Sequence, residues 1–370
     1  MTPRALRILF LAGGIAVAAL LLEWLVDPSH IGFDAAAYYL AAGDLLDGRL
    51  PYREDVSGAL VNYAGEGVYR YPPLFAVLFL PMAGLPFAIT ALLWCAALAA
   101  LYTGVVALVA REAGPARWPW WLPALVVVGP LTDWTLGFGN ASVLLLVALL
   151  GADLADRRGR SGIAGALVAG AVFVKLTPLL LLVYYAARGR WATVQATLLG
   201  LAALLIGSLL LPGLREATLA YPEILTRTLT GGEGSHPAHS GLAWLLVRLG
   251  LDAALVRLVA IGVVVASIGA TVLVARRLTP LASWAIALLI AFFAAPALWP
   301  QSGLLLPLVT ARLIPALPAT PMRALALGAA AVTWAAVALL PDPGKPFALW
   351  GGAAILALTA FAVHRAASRG

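Results

Sequence analysis

This sequence is poor in charge. Asp, Glu, Lys and Arg together make up 11% of its 370 residues, where a soluble domain carries about 25%. Hydrophobic residues reach 62% and the mean hydropathy is +0.96, leaving too little polar surface to cover a water-soluble core. Soluble enzymes and nucleic-acid binders are excluded on that ground. Lysine is nearly absent, with only Lys175 and Lys345. The other basic residues are arginine in an Ala, Leu, Gly and Val background, the composition of a GC-rich bacterial genome. A single cysteine, Cys95, lies in an apolar run and excludes a disulfide framework or a Cys-based metal site. There is no His-Glu-x-x-His run, no P-loop and no dinucleotide fingerprint.

What the chain does have is a succession of apolar stretches near the bilayer-spanning length of about 20 residues. The whole chain, 1–370, therefore reads as one all-α polytopic membrane domain. Arg4 and Arg7 precede the first stretch, which continues past Trp24 and reads as a transmembrane helix and not a cleaved signal peptide. The net charge of +7 is a topology signal, because basic clusters mark the cytoplasmic side. The clusters lie at Arg4 and Arg7, Arg111 and Arg117, 157–160, Arg188 and Arg190, Arg276 and Arg277, Arg312 and Arg323, and Arg365 and Arg369.

Each connection between clusters must return to the same face. The 27 residues 161–187 therefore read as two short helices joined at Lys175-Leu176-Thr177-Pro178, since proline removes a backbone donor. Residues 118–152 read the same way, with a tip at Gly137-Phe138-Gly139-Asn140. Broken helices at membrane depth must line protein or a wet cavity, so both tips should meet something polar. Segments 192–211, 251–275, 281–299, 303–313, 323–340 and 347–363 continue the alternation. Segment 72–85 dips into the outer leaflet and returns. The count is about 12 crossings with both termini cytoplasmic.

Seven of the 17 acidic residues fall in the outer segment 27–71. Within it, Tyr38, Ala41, Ala42 and Leu45 share a helical spacing that predicts an interfacial helix over 33–46. Asp34 at its start suits an N-cap or a solvated carboxylate. A cation held by Asp34 with Asp44 or Asp47 is the alternative to a solvated acidic surface, and no cofactor is implied. The second outer segment, 212–250, carries Arg227, His236 and His239. Pro237 and Gly231-Gly232 favour a metal-free loop there, with an interfacial helix over 241–248. Lys175 is flanked by apolar residues, so it either faces a partner or snorkels to the outer interface. A base outside and a cation near the outer leaflet would suit a lipid-phosphate substrate.

Phe33-Asp34 with Tyr38-Tyr39, the Leu-Leu-Asp-Gly-Arg-Leu-Pro-Tyr run ending at Tyr52, and Tyr69-Arg70-Tyr71-Pro72-Pro73-Leu74 resemble the first extracytoplasmic loop of glycosyltransferase family 87, the polyprenyl-phosphate-mannose-dependent mannosyltransferases of the GT-C fold. Gly139-Asn140 and Lys175-Leu176-Thr177-Pro178-Leu179-Leu180, followed by Arg190-Trp191, resemble two further motifs of that family. The likeness covers most of the first 200 residues. Two departures stand out. Ala238-His239-Ser240 replaces a frequent Asn-Gln-Ser triplet, and Leu298-Trp299-Pro300-Gln301 replaces a Ser-Trp-x-His motif, with His236 or His239 as substitutes for the missing histidine.

The resemblance implies a GT-C-like fold and an inverting transferase at the bacterial cytoplasmic membrane. It would move mannose or another hexose from a polyprenyl-phosphate donor to a lipid-linked or cell-envelope glycan on the extracytoplasmic face. Asp34 would be the general base, and Lys175, with Arg70 or Arg227, would stabilise the leaving phosphate. Tyr71, Asn140, His236, His239 and Gln301 complete the implied substrate side. Two alternatives stay open from the residues: a multi-pass transporter or lipid flippase, and a catalytically degenerate family member.

Overall fold

The computed structural model describes residues 31–52, 69–113, 136–230, 249–293 and 345–368, with isolated positions at Leu246, Val309, Leu313 and Ala316. Among the described residues every regular element is helical. α1 (Phe33–Leu46) is followed by α2 (Pro73–Ala76), which continues as a 3₁₀ stretch over Val77–Met82. Then come α3 (Phe87–Ala113), α4 (Ser142–Arg157), α5 (Ser161–Val174), a 3₁₀ turn at Thr177–Leu179, and α6 (Leu180–Ala187). The rest are α7 (Trp191–Leu210), α8 (Leu214–Thr230), α9 (Ala253–Arg277), α10 (Pro280–Phe293) and α11 (Lys345–Ala367). Phe87–Val105, Trp191–Leu210 and Ala254–Arg277 are long and apolar enough to cross a membrane. The first stretch, most of 303–313, and 323–340 lie outside the described residues.

The break expected in 161–187 is present. α5 stops at Val174, Lys175 turns to extended backbone (φ −145°, ψ 140°), and Pro178 sits in the first turn of the 3₁₀ segment, where its missing N–H costs nothing. The two halves do not pack on each other as a tight pair. α5 lies on α4 and α7, whereas α6 packs chiefly on α9 and also on α10 and α7.

The parity of the passes follows from contacts. Gly165 of α5 faces Ala196 and Thr197 of α7, and one turn on Gly200 faces Ala169, so α5 and α7 run parallel and α6 must return between them. Thr193 Oγ1 donates to Asp156 Oδ1 at 2.9 Å, and Arg190 Nε lies 3.5 Å from Asp156 Oδ2. Arg188 Nη1 donates to the carbonyls of Ala275 (3.0 Å) and Leu278 (3.3 Å), capping the end of α9 with a cation where the helix dipole is negative. Thr279 N donates to His364 Nδ1 at 3.3 Å, bringing in the end of α11. The arginine clusters at 157–160, 188–190, 276–277 and 365 thus share one end of the molecule, and Ser142 and Lys175 lie at the other.

Two further expectations meet the structure here. Segment 72–85 forms only a ten-residue helical stretch, too short to span, and it lies against α1. The polar segment 212–250 begins with a helix, α8, that the polar composition concealed. Its Leu214, Ala217 and Ile224 are buried at helical spacing, with Arg215 and Glu216 exposed.

Small residues permit the parallel α5–α7 contact. A Cβ at Gly165 would lie 2.6 Å from the Thr197 amide nitrogen and 2.7 Å from the Ala196 carbonyl carbon, so backbone would have to move. Gly165→Ala should therefore destabilise the protein by about 1–3 kcal/mol. A lowered thermal midpoint of the detergent-solubilised chain would register it, and an unchanged midpoint would show that the helices separate freely.

Candidate functional site

The tip at Leu136–Asn140 is held by two helices. Carbonyls of Gly137 and Phe138 accept from Gly32 N (2.7 Å), Asp34 N (2.8 Å) and Ala35 N (3.2 Å), so they satisfy the amides left open at the start of α1. Gly32, at φ 79°, is the N-cap residue and no side chain caps the helix, so the capping role open to Asp34 is not what the carboxylate does. From the other side Trp94 Nε1 donates to Gly139 O at 2.7 Å and Cys95 Sγ approaches Gly137 O at 3.5 Å. Gly139 adopts φ 71°, and a Cβ there would lie 2.9 Å from both Ala35 Cβ and Trp94 Cδ1. Only glycine meets both demands.

The Asp34 carboxylate, set free of capping, faces the residue that follows the turn. Asn140 Nδ2 donates to Asp34 Oδ2 at 2.6 Å. The orientation of that amide is dictated by its other end, where Oδ1 accepts from Ser142 N (2.9 Å) and Ser142 Oγ (2.6 Å). Lys175, at the second tip, donates from Nζ to Ser142 Oγ at 3.3 Å. Among the described residues that is its one hydrogen bond, so two of its three N–H donors remain for another acceptor. Both expected tips therefore meet polar groups, and they meet each other. Lys175 is engaged inward rather than snorkelling.

The tyrosine motifs enclose the carboxylate from the side of α2. Tyr38 Oη donates to Tyr71 Oη at 2.9 Å, Tyr52 Oη donates to Tyr71 O at 3.0 Å, and Tyr69 Oη donates to Pro72 O at 2.8 Å. Tyr38 is buried at the centre of an aromatic cluster with Tyr69, Phe75, Phe79 and Trp94. The Tyr52 ring stacks on Tyr221 of α8, with centroids 6.2 Å apart, fastening the segment 212–250 to 27–71. Arg70 is close enough for its charge to act on Asp34.

Burial pushes the Asp34 carboxyl above its ordinary value of 3.8. The Asn140 hydrogen bond and the charges of Lys175 and Arg70 pull the other way. Asp44 and Asp47 belong elsewhere, since both pair with Arg49, at 2.9 and 2.7 Å. They stand at least ten residues along from Asp34, about 15 Å of helix, so the shared-cation arrangement is ruled out by distance.

Of the nine residues singled out from sequence, Asp34, Asn140 and Lys175 converge on one site, with Arg70 and Tyr71 beside it. Arg227 lies on α8, its side chain outside the described residues, as are His236, His239 and Gln301. Ser142 and Trp94 were missed. The spacing Asn140-x-Ser142 is a local signal for a side-chain turn, whereas nothing local marks Trp94.

Residues 69–300 match the family model of glycosyltransferase family 87. The chain is 29% identical over 209 residues to a polyprenol-phosphate-mannose-dependent alpha-(1-2)-phosphatidylinositol pentamannoside mannosyltransferase of Mycolicibacterium smegmatis, covering 53% of this chain and 48% of that protein. A protein of the same name from Mycobacterium tuberculosis is 36% identical over 123 residues, 31% of this chain and 27% of that one. The chain thus spans about half, or less, of the relatives it matches. Arg70, Asn140 and Lys175 fall inside the family match, which covers more than half of the sequence, and the chain belongs to glycosyltransferase family 87.

Proposed function

We propose that this chain is a membrane glycosyltransferase of about 12 crossings, with a GT-C-like fold and both termini cytoplasmic, that transfers mannose from a polyprenyl-phosphate donor to a lipid-linked or cell-envelope glycan on the extracytoplasmic face of a bacterial plasma membrane. The observation that carries this reading is a carboxylate at the start of α1 and an ammonium with donors to spare at the break between α5 and α6, linked through Asn140 and Ser142. α5 has 14 residues, about 21 Å, against a hydrocarbon core of about 30 Å. With the arginine-rich end at the cytoplasmic interface, the Lys175 tip stops short of the outer surface, at the depth of a lipid phosphate drawn inward.

Asp34 accepts the proton of the acceptor hydroxyl as its oxygen bonds to the anomeric carbon. The bond from that carbon to the donor phosphate breaks, and its electron pair leaves on the polyprenyl phosphate, which gains one negative charge. Attack opposite the leaving group inverts the anomeric centre. Lys175, with Arg70, stabilises the growing charge in a site of low dielectric. Broken helices also occur in transporters. Transfer is favoured because the acid and the cation belong to one hydrogen-bonded chain through Asn140 and Ser142.

Membranes containing the chain, given radiolabelled polyprenyl-phosphate mannose and a crude lipid extract, should form a labelled glycolipid. Absence of product from mannose, glucose and arabinose donors alike would sink the transferase reading. Asp34 acts only when ionised, and burial raises its carboxyl, so kcat falls as pH drops through a midpoint above the ordinary aspartate value. A pH–rate profile checks this, and an acid limb at or below the ordinary value would count against Asp34.

A further inference from the structure

The hydrogen bonds linking Lys175 to Asp34 all point one way. Lys175 Nζ donates to Ser142 Oγ (3.3 Å), Ser142 Oγ donates to Asn140 Oδ1 (2.6 Å), and Asn140 Nδ2 donates to Asp34 Oδ2 (2.6 Å). A chain with a single direction of donation, from cation to anion, polarises every member in the same sense. Ser142 is its pivot. It is buried at the first position of α4, and both its hydroxyl and its backbone N–H are spent on the Asn140 oxygen. Turning the amide over would bring its NH₂ group against those two donors and its oxygen against the carboxylate. The amide is locked by Ser142, and the Asp34 rotamer is locked by the amide.

We propose that Ser142 is a positioning residue, which holds Asn140 toward Asp34 and ties it to Lys175, so that the base and the phosphate-binding cation are set by one hydrogen-bonded unit. This inference rests on Asp34 being the base of the proposed transfer. Ser142 accepts from Lys175 directly and reaches Asp34 only through the Asn140 amide. The other titratable and charged groups around the carboxylate are Arg70 and Tyr71 from the segment before α2, Tyr38 on α1 and Cys95 on α3, with Lys175 from the end of α5. Ser142→Ala leaves every one of these residues in the chain, and removes the hydroxyl that accepts from Lys175 Nζ and one of the two donors to Asn140 Oδ1.

The test is the transfer assay on membranes carrying the full chain, with rates normalised to folded protein. Ser142→Ala should lower kcat about 10-fold, the size of one hydrogen bond, with the donor KM within about twofold because Lys175 is retained. The acid limb of kcat should move to higher pH, since a loosened amide lowers the carboxyl less. Asn140→Ala should move it further in the same direction, and Ser142→Thr, which keeps the hydroxyl, should return it toward wild type. A slower enzyme with an unmoved limb would mean that Ser142 only fills space, and the proposal would fall. So would wild-type kcat and limb in Ser142→Ala and Asn140→Ala while Asp34→Asn is dead, which leaves the base assignment standing. Transfer by Asp34→Asn would overturn the base assignment and this proposal together.

Discussion

Asp34→Asn should reduce transfer by 100- to 10,000-fold, the typical contribution of a positioned general base. The substitution is chosen because it changes the chemistry and spares the geometry. An amide has nearly the outline of a carboxylate, and it can turn its oxygen toward Asn140 Nδ2, which now donates at 2.6 Å to Asp34 Oδ2. The backbone bonds that fasten the start of α1 to Gly137 and Phe138 do not involve the side chain, so the fold should hold. Initial rates at saturating donor, measured on protein that elutes from size exclusion as wild type does, give the result. A rate within a few-fold of wild type would remove Asp34 as the base.

Lys175→Met should cost about 100- to 1,000-fold in kcat, comparable to deleting one preorganised electrostatic donor at a developing oxyanion. The loss should be steepest for donors whose phosphate is the poorest leaving group, because the ammonium acts on charge that appears only as the bond breaks. A second effect separates this from simple misfolding. Lys175 is one of the charges that pull the Asp34 carboxyl down, so without it the acid limb of kcat should shift to higher pH. Lys175→Arg should keep part of the rate, since the charge survives while the fork of the guanidinium differs in reach. A Met variant with wild-type rate and limb would return Lys175 to the role of an interface anchor.

Much of this molecule is legible along the chain because the signals are local. Hydrophobic runs, the proline at 178, the glycines around Phe138 and the isolated lysine among apolar neighbours each depend on a few adjacent residues. Arginine clusters carry the parity of the passes for the same reason, and the contacts of Arg188, Asp156 and His364 bring four of those clusters to one end. The break in 161–187 was therefore readable, as was the expectation that both tips face polar groups.

Readable along the chain are the class of the molecule, the helix break at Lys175–Pro178, its basic end, and the one lysine that stands out against apolar surroundings. What Lys175 and Asp34 touch follows only from packing. Asp34 and Asn140 are 106 positions apart, and Lys175 and Ser142 are 33 apart, so no period or motif spacing joins them. The same holds for Trp94, whose indole reaches Gly139 across 45 positions, and for the release of Asp34 from capping, which Gly32 performs in a left-handed backbone conformation. Helix α8 escaped notice because its buried side is made of Leu214, Ala217, Tyr221 and Ile224 spread among polar residues and a proline. Apolar burden is a property of short stretches and survives in the sequence; which side chains share a hydrogen bond is a property of packing, and emerges only when distant segments are brought to the same place.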